Sequence, residues 1–185
     1  VEMKFLVSMS LVFCLAGCMN SLPRFERAEE QIVKDPPTSL HVEVDNGSVK
    51  FEIDRSASGA RIEATWSVQR ADQAAADVAF DACSIGVDTE EGRLSIIPVM
   101  PPDSSVELHV VMPDNSSVMI TTSNGSITVN GASGEAVLAT DNGSIRCVDQ
   151  DGMVVARTSN GSIRIVSPTG DIESLSNNGS ITITE

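Results

Sequence analysis

Four serines recur at a fixed interval of 18 residues: Ser126, Ser144, Ser162 and Ser180. A serine nucleophile is singular and sits beside a base that takes its proton. A serine repeating in phase is a structural device. His41 and His109 each fall on the polar side of an alternating run and read as surface residues. Arg146 and Arg164 keep the same phase, each directly after a repeated isoleucine, between Thr128 and Thr182. Two guanidiniums in one column form a candidate ligand face for an anion or a carboxylated glycan. The alternative is a solvated column paired with Asp171 or Glu173. Asp149 and Asp151 precede Gly152 at a turn and raise the question of calcium. Neighbouring repeats lack those acids, and the glycine-rich nonapeptide of calcium-binding rolls is absent. The expectation is therefore no catalytic residue, no metal ion and no cofactor.

Cys83 and Cys147 lie well beyond the N-terminal segment. They could pair in an oxidising compartment. Cys147 takes a slot held elsewhere by Val129, Ile165 and Ile183, where a free thiol serves as a small apolar residue. The sequence leaves the disulfide open.

The elements that carry these residues follow from the repeat itself. Asn-Gly-Ser-Ile begins at Asn124, Asn142, Asn160 and Asn178, with Gly125, Gly143, Gly161 and Gly179 next in line. A second glycine keeps phase at Gly134, Gly152 and Gly170. A fixed short period marks stacked supersecondary units. Apolar residues alternate in two short runs per period, so each repeat reads as two strands with a turn at Asn-Gly and another near the second glycine. Stacked units align identical residues at about 4.8 Å. That predicts an internal ladder of Ile127, Ile145, Ile163 and Ile181. Two roles are open to the asparagines: a side-chain amide ladder, or caps in turns that need left-handed backbone. Asn-Gly-Ser also matches a glycosylation triplet, but the turn reading accounts for it. A left-handed hexapeptide helix is excluded because its phase puts Ser133, Asp151 and Arg157 in aliphatic slots.

Upstream, Leu40–Val44 and Val49–Ile53 alternate on either side of Asn46-Gly47, a hairpin signal that is also an early, out-of-phase version of the later repeat, 78 residues before Asn124. Ala60–Val68 reads as a strand holding Trp66, the only tryptophan. Ala71–Ala82 is the one helix signal, with Ala75, Val78, Ala79 and Ala82 as its stripe. Ile85–Val87 and Leu94–Ile97 pair around Glu90-Glu91-Gly92. In Ser105–Val111, Val106, Leu108 and Val110 share one face, and Glu107 and His109 the other. The fold class is all-β: a short β-solenoid, single-stranded and β-helix-like, with 18-residue coils. Irregular strands and one short helix precede it. The net charge is −14 and the pI about 4.4, which excludes a nucleic-acid partner. Tyrosine is absent, so Ile, Val, Leu, Ala and Thr must fill the core.

The N-terminus resembles a bacterial lipoprotein signal. Phe5–Ala16 is an apolar run too short to span a bilayer. It ends in Leu15-Ala16-Gly17-Cys18, an aliphatic residue and two small residues before a cysteine. The resemblance implies cleavage after Gly17 and lipidation of Cys18, giving stable anchoring in a bacterial cell envelope. Residues 1–17 are then the signal peptide and 18–39 a polar tether with a short helix over Phe25–Val33. Residues 40–185 are the repeat domain, irregular over 40–111 and regular over 112–185.

From Leu40 to Glu185 the blocks resemble the bacterial putative-adhesin family of β-strand repeats. They are Leu40-His-Val-Glu-Val with Asn46-Gly-Ser-Val, Gly92-Arg-Leu-Ser-Ile, Val106-Glu-Leu-His-Val-Val-Met-Pro113 and the repeat cycle. The resemblance implies a β-solenoid on an exported or membrane-attached protein, and it supplies no catalytic residues. The expected function is non-catalytic: binding, adhesion or scaffolding, with an envelope protein or glycan as partner. The alternatives are a glycan-active lyase or hydrolase and a self-associating structural module. The strand edge near Glu185 has no cap, which invites homo-association.

Overall fold

The computed structural model describes residues 8–13 (backbone), 22–35, 37–113 and 117–185. Gly17 and Cys18 lie outside the described residues. The fold is nearly all β, with 15 strands and one helix among the described residues. In chain order these are β1 Ser8–Phe13, β2 Arg24–Val33, β3 Ser39–Ile53, β4 Ala60–Gln69, α1 Gln73–Asp81, β5 Ser84–Glu90, β6 Arg93–Val99 and β7 Ser104–Met112. The regular part follows as β8 Ser117–Asn124, β9 Ile127–Asn130, β10 Glu135–Asn142, β11 Ile145–Val148, β12 Val154–Asn160, β13 Ile163–Val166, β14 Ile172–Asn178 and β15 Ile181–Thr184.

The strands form two arms. The first arm runs β1-β2-β4-β7-β3-β9-β11-β13-β15. The second runs β5-β6-β3-β8-β10-β12-β14. From β3 onward all pairings are parallel and in register, with Asn142 opposite both Asn124 and Asn160. Each period thus supplies one strand to each arm, as the alternation predicts.

β3 belongs to both arms, which corrects the hairpin expected at Asn46-Gly47. The strand runs through this dipeptide without a turn, and Asn46 lies opposite Asn124. Its halves pair with β8 and β9, so β3 is itself the first coil. The second to fifth coils are β8–β9, β10–β11, β12–β13 and β14–β15. Residues 54–116 are an insertion between the first two coils, which is why Asn46 falls out of phase in the sequence.

The insertion closes one end of the stack. β4 and β7 widen the first arm, while β5 and β6 form a hairpin on the second. Glu91 and Gly92 at its tip have φ of 50° and 79°, the backbone a tight hairpin requires. Asp72 caps α1 by accepting a hydrogen bond from the Ala75 amide at 2.9 Å. The helix buries Ala76, Ala79 and Phe80, whereas Val78 is exposed. The expected stripe through Ala75 and Val78 is therefore rotated. Phe80 carries the largest apolar surface on the helix and sets which side turns inward.

Residues 24–33 also depart from expectation. They form strand β2, fully paired with β4, not a helix in a tether. Phe25 and Val33 are buried in the core, so the packed unit begins before Leu40. β1 falls inside the run that resembles a signal peptide and pairs with β2 at the arm's edge.

The core lies between the arms. Ile127, Ile145 and Ile163 are buried, as are Val129, Cys147 and Ile165. Ile181 and Ile183 occupy the same columns but are 42% and 49% exposed, because among the described residues no coil stacks on β14 and β15. The predicted isoleucine ladder is present, with its final rung open.

Candidate functional site

The corner column is the most regular feature. Asn142, Asn160 and Asn178 each donate Nδ2–H to the Oδ1 of the asparagine one coil earlier, all at 3.0 Å. This is the amide ladder, and it lies on the exposed surface. None of these asparagines has positive φ, nor do Gly125, Gly143 and Gly161. The left-handed turn reading therefore fails at the corner. Glycine is required by contact instead: a Cβ on Gly143 would lie 1.9 Å from the Gly125 carbonyl oxygen. Buried Thr122, Thr140 and Thr158 complete the corner. Their hydroxyls donate to Gly47, Gly125 and Gly143 carbonyls at 2.9 to 3.0 Å. Threonine's 18-residue phase is a sequence property, whereas its bond to a carbonyl one coil earlier exists only in the stacked fold.

Strand alternation turns Arg146 and Arg164 outward on the first arm, directly opposite one another. Adjacent strands are about 4.8 Å apart, so two like charges sit side by side. Thr128 and Thr182 flank them in register. The expected partners do not reach them. Glu173 pairs with Arg157 across β12 and β14 on the other arm. Neither Arg146 nor Arg164 forms an ion pair with a described residue. Exposed Ser144 and Ser162 lie two residues before the arginines, and half-buried Val148 and Val166 two residues after. The face is a hydroxyl column, a guanidinium column and an aliphatic column.

Toward the first coil the same arm carries a closed charge network. Lys50 pairs with Glu52 at 2.8 Å, and Arg61 pairs with Glu63. His109 lies between the two acids, with Nδ1 hydrogen-bonded to Glu63 Oε2 at 3.1 Å and Nε2 3.0 Å from Glu52 Oε1. Nε2 is sealed from solvent and closes no well-formed hydrogen bond. Lys50 is the leading cause of a lowered Glu52 pKa, with His109 assisting. Both ring nitrogens of His109 face carboxylates, so neither is presented to a substrate. His41 Nδ1 lies 3.5 Å from Ser95 Oγ.

A second polar cluster is buried beneath α1. Burial raises the Glu29 pKa, opposed by the Trp66 indole, the Ile85 backbone and Arg27. Glu29 Oε1 and Trp66 Nε1 are both sealed from solvent without a well-formed hydrogen bond. Arg27 stacks on Phe80 at 4.8 Å and pairs with Asp81 at 3.2 Å. Cys83 and Cys147 are free thiols, and burial pushes Cys147 up to about 12. Asp151 accepts the Thr169 hydroxyl at 2.7 Å, one coil on. Among the described residues, no helix is long and apolar enough to cross a membrane.

These features define a two-arm β-solenoid with an inserted cap. A putative cell adhesion protein from Clostridium sporogenes ATCC 15579 shares the fold at a TM-score of 0.60. It is 8% identical, and the match covers 86% of this chain and 99% of that one. A putative adhesin from Parabacteroides merdae ATCC 43184 and a putative lipid binding protein from Parabacteroides distasonis ATCC 8503 match at TM-scores of 0.33 and 0.28. They are 9% and 12% identical, covering 86% and 85% of this chain and 96% of each of theirs. No protein-family model matches the sequence, and no curated protein does. At 8% identity the likeness to the Clostridium sporogenes protein is one of fold.

Proposed function

We propose that this chain is a non-catalytic binding module, held at a bacterial cell surface by a lipid on Cys18, which presents the outer face of its first arm to an anionic ligand. The observation that carries the reading is the in-register pair Arg146 and Arg164. Like charges opposite one another in a sheet are unfavourable, and this chain has 26 acidic residues available to pair with them. None of the described acids does so. An external anion relieves the repulsion, and guanidinium suits carboxylate and phosphate geometry.

Among the described residues, the serine and histidine candidates for the enzymatic alternative are held apart. Ser180 donates its hydroxyl to Ser162 at 3.2 Å within the serine column, and His109 stands between acids on another part of the arm. A second reading, self-association through the last coil, is supported by the exposure of Ile181 and Ile183.

The test is titration of the purified whole chain in detergent against acidic polymers at low and physiological salt, with product release monitored in parallel. Salt-sensitive binding that disappears in the double variant Arg146→Gln/Arg164→Gln is expected. Binding unchanged in that variant, or sustained turnover, would overturn the reading.

A further inference from the structure

We infer that the anionic ligand is an acidic polysaccharide, lying along the stacking direction across the third and fourth coils. The inference rests on the ligand-face reading above and adds the chemistry of what occupies it. The argument is the three-column composition. A free oxyanion can use the guanidiniums and a neighbouring hydroxyl, but it has no counterpart for the aliphatic column. A uronic acid residue brings three different surfaces: a carboxylate, ring hydroxyls and an apolar C–H face. Arg146 and Arg164 meet the first by charge-assisted, bidentate hydrogen bonds. Ser144 and Ser162 meet the second, since a hydroxyl both donates and accepts. Val148 and Val166 meet the third.

The columns run perpendicular to the strands, because every coil repeats the last in register. Neighbouring rungs lie about 4.8 Å apart, and a pyranose in an extended chain advances by nearly that distance. A polymer aligned with the stack therefore keeps meeting the same side-chain types. The serine column continues on both sides through Ser126 and Ser180, which are exposed. Binding consequently gains with ligand length. Charge also favours this part of the arm: Lys50 and His109 are occupied by Glu52 and Glu63, leaving the two arginines as the cationic surface of the third and fourth coils.

The experiment measures affinity of the whole chain, purified in detergent, for oligogalacturonates of increasing length. Free galacturonate, inorganic phosphate, a neutral dextran of matched length and vesicles of anionic phospholipid are the comparisons. Tetramer binding at least tenfold tighter than free galacturonate is expected, with dextran much weaker. Arg146→Gln and Arg164→Gln each weaken the tetramer at least about tenfold, since each removes a bidentate pair of hydrogen bonds to a charged group. Ser144→Ala/Ser162→Ala weakens it less than either arginine change does. Arginine-dependent binding of phosphate or vesicles without preference for the oligogalacturonate would refute the polysaccharide while leaving an anion-binding face. Absence of arginine-dependent binding to every probe would remove both readings. Circular dichroism on each variant shows that loss of binding is not loss of fold.

Discussion

Thr140 donates its hydroxyl to the carbonyl oxygen of Gly125, 2.9 Å away in the preceding coil. Thr122 and Thr158 repeat the bond, and Ser176 makes it to Gly161 at 2.8 Å. The bond ties consecutive coils together at the corner, where the chain passes from one arm to the other. Thr140→Val keeps the shape and removes the donor. It should cost about 1–3 kcal/mol, the range for leaving a buried polar group unpaired. Urea unfolding should show a lower midpoint at constant m. An unchanged midpoint would mean the hydroxyl adds nothing.

Gly143 tests the same corner from the other side. A methyl group there lies 1.9 Å from a backbone oxygen, an atom that cannot rotate away. Gly143→Ala must spread two coils, so its loss should exceed about 3 kcal/mol, the upper part of the overpacking range. Gly131→Ala is the comparison. Its Cβ meets nothing closer than 3.8 Å, but its φ of 77° strains an L residue, so a smaller loss of about 1 kcal/mol is expected. Equal losses at the two sites would contradict close stacking as the reason for the corner glycine.

The regular coils were legible because identical residues return to identical environments every 18 residues, and a period is a property of sequence. At Asn46-Gly47 the kinship with the repeat was legible, but the absence of a hairpin turn was not. The same dipeptide that closes hairpins also fits a solenoid corner, and only its pairing with Asn124 distinguishes them. β2 was hidden because the central positions of its inward face are polar: Arg27, Glu29 and the buried Gln31 stand between Phe25 and Val33, which masks the alternation. At the candidate face, the column of Arg146 and Arg164 could be read directly. Whether acids reached it could not, because Glu173 lies near in sequence yet on the other arm.

Glu29 gives a pH signature. Burial is the largest influence on it and raises its pKa above the usual glutamate value. A raised carboxylate favours the folded state below its unfolded pKa, and that contribution is lost as pH rises through the folded value. Glu29→Gln should therefore raise the Tm at pH 7 while changing it little below pH 4. A lower Tm at pH 7 would mean that the Arg27 and Trp66 contacts outweigh the desolvation cost.

The anchor and the edge strand can be separated by two variants. Cys18→Ser should release the protein from membranes into the soluble fraction; retention there would refute lipidation. Among the described strands β1 pairs with β2 alone, so deleting residues 1–17 should leave the packed arms and their cooperative unfolding intact. Loss of cooperativity would show that β1 is part of the folded unit and not a removable leader.

The open last coil predicts a concentration-dependent property. Ile181 and Ile183 are 42% and 49% exposed, whereas Ile163 and Ile165, one coil earlier, are 1% and 0%. Strands β14 and β15 also present unpaired backbone along this edge. Apolar side chains beside an unpaired edge favour strand addition from another molecule. Ile181→Thr/Ile183→Thr retains β-branching, and with it strand propensity, while removing about half of the exposed aliphatic surface. Sedimentation velocity over a hundredfold concentration range should show association of the parent chain and its reduction in the variant. A parent chain that stays monomeric throughout would rule out association through this edge. Equal association by both proteins would place the contact elsewhere, with the exposed Leu175 on the outer face of the second arm the next position to change.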